Sequence, residues 1–143
     1  MALTDAQADT IAVLLNARNE LTVPYARQRV LDDADNYRCI LSDAGEVIAC
    51  VEIKKVQWYQ CEVLHLTVSK AHERTGHGKA LLCEAERVAR AKNARVLQCT
   101  IRDDNIGSRR LFEGFGFQRV SAFFNEHSGN NVGVYQKVLV PAR

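Results

Sequence analysis

The chain predicts an α/β (α+β) fold: a mixed, mostly antiparallel sheet with one parallel βαβ step and helices on both faces. Two observations carry this. Short apolar runs bounded by Gly, Asp and Asn turns alternate with stretches of helical period, in the order α α β β β α β α β β. Between Glu62 and Lys79 an apolar run passes through a polar turn into Gly76-His77-Gly78, and a helix pattern follows directly. The next strand returns parallel to the first, because a right-handed crossover through one helix leaves it no other direction.

Each element has a local reason. Thr4 or Asp5 can cap a first helix in which Ile11, Leu14 and Leu15 recur at helical spacing. Pro24 suits the first turn of a second helix carrying Tyr25, Val30 and Leu31. Tyr37 to Leu41 reads as a short strand, and Asp43-Ala44-Gly45-Glu46 as a hairpin turn into a longer strand from Val47 to about Gln57. A turn over 57–60 precedes the strand around 62–68. Residues 77–92 form the strongest helix: Ala80, Leu81, Cys83, Ala85, Val88 and Ala89 line the buried side, Glu86 and Arg90 pair at i, i+4, and Asn93 can close the end. Strand 95–101, a shorter helix 106–113 broken by Gly114-Phe115-Gly116, and closing strands 117–124 and 132–140 complete the series.

The chain has 143 residues, 47% hydrophobic and 25% charged, which fits one soluble domain spanning 1–143. A net charge of +2 without a long Lys/Arg run argues against a nucleic-acid partner. The start, MALTDAQADT, lacks a basic n-region and a long apolar run, so no signal peptide is expected, and no stretch is apolar enough to cross a membrane. Cys39, Cys50, Cys61, Cys83 and Cys99 are odd in number and widely spaced. They read as free thiols in a reducing cytoplasm, with neither a disulfide framework nor a metal site expected.

Strand, glycine turn and helix together make a phosphate cradle, since glycines let the main chain approach an anion and free N–H groups attract it. The ligand class narrows by exclusion. A nucleotide-triphosphate loop needs Gly at position 73 and Ser or Thr after Lys79, where the chain has Glu73 and Ala80. A dinucleotide fingerprint has its first two glycines and an acid at Asp103, but its third glycine is replaced by Leu81 and no second βαβ half follows.

Glu73-Arg74-Thr75-Gly76-His77-Gly78, followed in order by Asn105-Ile106-Gly107-Ser108-Arg109-Arg110-Leu111-Phe112-Glu113-Gly114-Phe115-Gly116-Phe117, resembles the two signatures of the GNAT superfamily of acyl-CoA-dependent N-acetyltransferases. The resemblance is clearest from about residue 46 to 124, although members usually begin with a strand that is not evident here. It implies the GNAT fold, whose two parallel strands splay apart, and acetyl-CoA as acyl-donor substrate. By the resemblance, Leu66, Thr67 and Val68 meet the pantetheine arm. Arg74, Thr75, Gly76, His77, Gly78 and Lys79 cradle the pyrophosphate, and Asn105, Ser108 and Phe112 complete the cofactor side. An amine acceptor, small molecule or protein, is the expected partner, with no nucleic acid, no membrane and a homodimer as a common family arrangement.

Amine acylation needs a base, and Glu62 matches the catalytic glutamate of the family's histone-acetylating branch when counted back from the glycines. The plain alternative is a solvated glutamate at a strand's start. His65 is a second candidate, expected on the opposite face by strand alternation and more commonly a core imidazole. The family's usual acid, a tyrosine, corresponds to Phe112, which has no proton to give; Tyr135 is the substitute candidate, or else a strand-packing aromatic. Glu73 replaces the usual Gln or Arg of the phosphate motif, so either Arg74 supplies the charge or Glu73 turns to solvent. Asn105 fits a helix cap as well as a ligand contact. The expected function is direct acetyl transfer from acetyl-CoA to an amine. The competing class is a GNAT-shaped binding module of little or no activity.

Overall fold

The computed structural model describes residues 3–18 and 24–139. Its elements follow the expected order: α1 (Asp5–Arg18), α2 (Arg27–Asp32), β1 (Tyr37–Leu41), β2 (Val47–Gln57), β3 (Gln60–Val68), α3 (His77–Ala91), β4 (Val96–Arg102), α4 (Ile106–Gly114), β5 (Gln118–Asn125) and β6 (Asn130–Val138), with single 3-10 turns at Ala34–Asn36 and Lys70–His72. The six strands form a mixed sheet in the order β1-β2-β3-β4-β6-β5. Only β3 and β4, among the pairings described, run parallel, and their ladder covers Gln60–Glu62 against Val96–Gln98. No strand precedes α1 among the described residues. Val140, the expected end of the last strand, lies outside them.

Packing divides the chain into two compact units, Met1–Glu52 with His65–Leu81, and Ile53–Leu64 with Leu82–Arg143. In the first, α1 is opened by a capping box: the Thr4 Oγ1 accepts from the Gln7 N–H and the Thr4 N–H donates to the Gln7 Oε1, both at 3.1 Å. Ala8, Ile11, Leu14 and Leu15 of α1 pack with Val30, Tyr37, Val47 and Cys50 in one core. The hairpin β1–β2 sets Tyr37 opposite Glu52 and Cys39 opposite Cys50. Val47 to Ile53 is buried residue after residue, whereas Lys54 to Gln57 is exposed. One expectation fails here. Pro24 does not enter a helix, because α2 begins only at Arg27. The Asn16 side chain accepts from the Tyr25 N–H at 2.7 Å and donates to the Tyr25 carbonyl at 2.8 Å, which holds that segment outside the helix.

Of the residues expected on the buried side of α3, Ala80 and Cys83 are exposed, because they lie off the stripe of Leu81, Leu82, Ala85, Val88 and Ala89 that packs inward. In the second unit α3 ends as its sequence suggests. Asn93 takes a left-handed φ of 62°, and the Ala94 N–H reaches back to the Ala89 carbonyl at 2.9 Å. Glu86 meets Arg90 at 3.3 Å and also Lys137 of β6 at 2.6 Å. The antiparallel β4–β6 ladder runs from Val96↔Val138 to Arg102↔Val132, and β5 adds to β6 as the outer strand. Cys61, Leu82, Ala85, Leu97, Cys99 and Tyr135 are all buried. Cys39, Cys50, Cys61, Cys83 and Cys99 are free thiols, and no helix among the described residues is long and apolar enough to cross a membrane.

Candidate active site

The first unit carries the glycine turn that reads in the sequence as a phosphate cradle. After β3, the Ser69 N–H donates to the Ile48 carbonyl at 2.8 Å and the Ser69 hydroxyl meets His72 Nδ1 at 2.6 Å, which fixes where the loop departs. Arg74 then adopts φ 62° and Gly76 φ 83°, both left-handed, just before α3 starts at His77. Left-handed residues near a helix N-terminus turn successive N–H groups to one side, forming a nest for an anion. Thr75 is held from within, its hydroxyl donating to the His72 carbonyl at 2.7 Å. Arg74, Thr75, Gly76 and Lys79 are exposed, while His77 and Gly78 are half-buried. Glu73 does not point its charge unopposed at this nest, since it forms an ion pair with Arg18, the last residue of α1.

On β3 itself, Leu66 and Val68 are half-buried and Thr67 is buried, its hydroxyl donating to the His65 carbonyl at 3.0 Å. His65 has φ 53° in mid-strand. A left-handed residue breaks the two-residue alternation of a strand, so the sequence argument that set His65 on the face opposite Glu62 does not carry across it. The imidazole makes specific contacts: Nε2 lies 2.5 Å from the Tyr25 hydroxyl and 3.8 Å from a carboxylate oxygen of Glu52. Burial, followed by the positive charge of Arg29, lowers the His65 pKa from its ordinary value, which favours neutral imidazole at neutral pH. Burial also raises the Tyr25 hydroxyl.

The second unit holds the other candidates. Glu62, the last β3 residue in the parallel ladder, accepts a hydrogen bond from Gln98 Nε2 at 3.2 Å, and Gln98 Oε1 accepts from Gln136 Nε2 at 2.7 Å. Partial burial raises the Glu62 pKa, against the lowering effect of bonds from Gln98 and Gln60. A carboxylate moved up in this way is better matched to accept a proton from an amine. Asn105 caps α4, its Oδ1 accepting from the Ser108 N–H at 3.1 Å. Phe112 is buried edge-on against Phe117, with centroids 5.0 Å apart. Tyr135 is 1% exposed, and the Arg119 guanidinium lies against its hydroxyl. Asp103, the acid a dinucleotide reading needed, binds Arg119 at 2.9 Å.

Three residues of the first unit escaped sequence reasoning: Arg18, Tyr25 as a polar group, and Glu52. Glu52 did leave a signal, a lone carboxylate between Val51 and Ile53 in the apolar part of β2. It is 5% exposed, and such burial of an acid is rare without partners.

A mixed sheet with one βαβ step thus carries a left-handed turn, open to an anion, between its strand and its helix. The model of the Acetyltransferase (GNAT) family matches residues 5–117, and the chain belongs to that family. A search of curated proteins by sequence found no significant match. Among solved structures, the NatC complex bound to Gag peptide and CoA superposes with a TM-score of 0.84 at 17% identity, over 98% of this chain and 97% of that one. Ribosomal-protein-alanine N-acetyltransferase from Brucella melitensis gives 0.83 at 16% identity, over 97% and 98%. YncA, a putative acetyltransferase from Salmonella typhimurium with its cofactor acetyl-CoA, gives 0.81 at 18%, over 100% and 94%. At these identities the likeness establishes the fold.

Proposed function

We propose that this chain is a single-domain cytoplasmic N-acetyltransferase that moves an acetyl group from acetyl-CoA to an amine by direct attack. The observation that carries the reading is the nest formed by Arg74 and Gly76 at the N-terminus of α3, a geometry that suits an anion such as a pyrophosphate. Family membership supports the donor, as do the CoA and acetyl-CoA held by two of the similar structures. The amides of Leu66, Thr67 and Val68 take the pantetheine arm in this reading, and residues 74–79 take the pyrophosphate. Asn105 serves as helix cap beside the cofactor, with Ser108 and Phe112 on the same short helix. The end of the parallel ladder at Glu62 supports this, because β3 runs on through Val68 while that ladder stops.

The amine nitrogen attacks the thioester carbonyl, a β3 main-chain amide steadies the oxyanion, and Glu62 takes a proton from nitrogen. Direct transfer is favoured because burial raises the thiols of Cys39, Cys50, Cys61 and Cys99, the opposite of an activated nucleophile. For Tyr135, deep burial against Arg119 favours the packing role over that of general acid. A protein amino terminus is the acceptor class we favour, since two of the similar structures act on or hold a peptide or protein. Phe112 in place of tyrosine motivates the second reading, a CoA-binding module without turnover. Thiol release from acetyl-CoA with a panel of amines separates the two.

A further inference from the structure

The geometry points to Glu52, Tyr25 and His65 as a proton-accepting triad, in which His65 Nδ1 is a second base for the acceptor amine while Tyr25 and Glu52 position the ring through Nε2. This rests on the acetyltransferase reading above. All three residues lie in the first unit, with the phosphate loop and with residues 66–68.

Four observations converge. Glu52 and Tyr25 are nearly buried, at 5% and 8% exposure, whereas 21% of the His65 side chain stays open, so the imidazole is the member that can meet a ligand. Its Nε2 faces two oxygens, the Tyr25 hydroxyl at 2.5 Å and Glu52 at 3.8 Å. An ionised carboxylate only accepts and a phenol oxygen can accept, so the tautomer they favour carries the proton on Nε2 and leaves the lone pair on Nδ1. His65 also keeps a left-handed φ of 53° inside a strand, one residue before Leu66, and backbone strain of this kind collects at functional sites. Finally, burial and then the Arg29 charge lower the His65 pKa, which favours the neutral imidazole. The charged and titratable groups around it are Tyr25 before α2, Arg29 on α2 and Glu52 on β2, and Glu52 in turn helps to raise the Tyr37 hydroxyl on β1. Tyr25 is itself fixed, by Asn16 at its backbone and by the Arg29 guanidinium 4.1 Å over its ring.

The chemistry calls for a second base. An aliphatic amine reaches the enzyme as RNH3+, and two protons must leave its nitrogen before an amide exists. In the first step an N–H bond of the ammonium breaks, its electron pair stays on nitrogen, and the proton joins the Nδ1 lone pair. The resulting imidazolium keeps its Nε2–H on Tyr25 and Glu52, whose negative charge stabilises it. The neutral nitrogen then forms its bond to the thioester carbon. The C–S pair departs on sulfur, and the second nitrogen proton leaves after attack and ends on the thiolate. His65 returns its proton to water, so that RNH3+ and acetyl-CoA give the amide, CoA thiol and one H+.

The test combines spectroscopy and kinetics on the intact chain. Side-chain 15N NMR, with His65 assigned by its loss in His65→Asn, should show the Nε2–H tautomer and titration below the ordinary histidine value. Glu52→Gln should move that titration lower still, because an anion that favours imidazolium is gone. Asparagine tolerates the left-handed backbone, so His65→Asn should melt close to wild type. Thiol release would be followed with spermidine, with a lysine peptide blocked at its amino terminus, and with a peptide whose amino terminus is free. His65→Asn should lower kcat roughly 100-fold at neutral pH with the acetyl-CoA KM changed less than about threefold, and the loss should shrink at high pH. Tyr25→Phe should lose several-fold and Glu52→Gln should shift the acid limb to lower pH. An Nδ1–H tautomer, or wild-type kcat in His65→Asn at every pH beside a working wild type, overturns the triad alone. A wild type that releases no thiol with any of the three amines overturns the transferase reading, and the triad with it.

Discussion

Arg18 at the end of α1 forms an ion pair with Glu73, the residue standing where the resemblance led one to expect Gln or Arg. A carboxylate beside a pyrophosphate is repulsive, and in the proposed site Arg18, a cation from another element, offsets the charge of Glu73, which stays exposed to solvent. Arg18→Ala should therefore weaken acetyl-CoA binding by roughly three- to tenfold, the scale of about 1 kcal/mol for one unopposed charge in water-like surroundings. Glu73→Gln added to it should restore affinity. Calorimetry on the two variants checks this, and unchanged affinity in Arg18→Ala would leave the pair a surface contact.

Gly78→Glu should abolish acetyl-CoA binding, because a side chain and a negative charge would enter the nest at the start of α3. A thermal-shift titration reads it directly: wild type should gain melting temperature with acetyl-CoA and the variant should not. Retained micromolar affinity would place the ligand elsewhere.

Glu62→Gln should lower turnover roughly 100-fold or more with little change in CoA affinity, the loss shrinking at high pH where more acceptor amine is already neutral. The raised pKa adds a stability corollary. A carboxyl raised above its unfolded value contributes stability below the unfolded pKa and loses it as pH rises through the folded one. At neutral pH the charged, partly desolvated group is a liability, so the glutamine variant should melt higher than wild type at pH 7 and lose that advantage at pH 4. A melting series across that range decides it.

The order and bounds of the strands were legible because turn residues punctuate them, as at Asp43-Ala44-Gly45-Glu46, and because Glu62 to Lys79 carries its own chemistry in its glycines. The second helix was misplaced at Pro24 because proline at a helix start is only a local preference. The side chain of Asn16, nine residues before Tyr25, captured the Tyr25 backbone instead. The left-handed turn before α3 was readable for the same reason the fold was, since it is a main-chain device of consecutive residues. The Arg18–Glu73 pair and the Glu52–His65–Tyr25 cluster were not, because each joins residues far apart in sequence, and no spacing rule reports such contacts. His65 adds a further cause: a single left-handed residue defeats the alternation on which face assignments in strands depend.

Phe112→Tyr tests whether a missing acid limits the reaction. If thiolate departure is rate-limiting, the restored donor should raise turnover several-fold, a fraction of the roughly 10²–10⁴ that a well-placed general acid contributes. The buried, edge-on packing against Phe117 makes a cost equally specific: a hydroxyl without a partner there should lower stability by about 1–3 kcal/mol. Denaturant unfolding beside the rate measurement separates the two, and Tyr135→Phe should leave turnover unchanged if that buried tyrosine only packs.

The most direct test follows the acetyl group itself. Acetyl-CoA labelled in its acetyl carbons is incubated with the protein and a set of amines that includes peptides with free amino termini, and each amine is examined by mass spectrometry. The account predicts label in an amide on at least one amine, transfer that Glu62→Gln suppresses, and acetyl-CoA binding far tighter than NADH or ATP. Tight acetyl-CoA binding with no label on any amine would contradict the transferase and leave a CoA-binding module in its place.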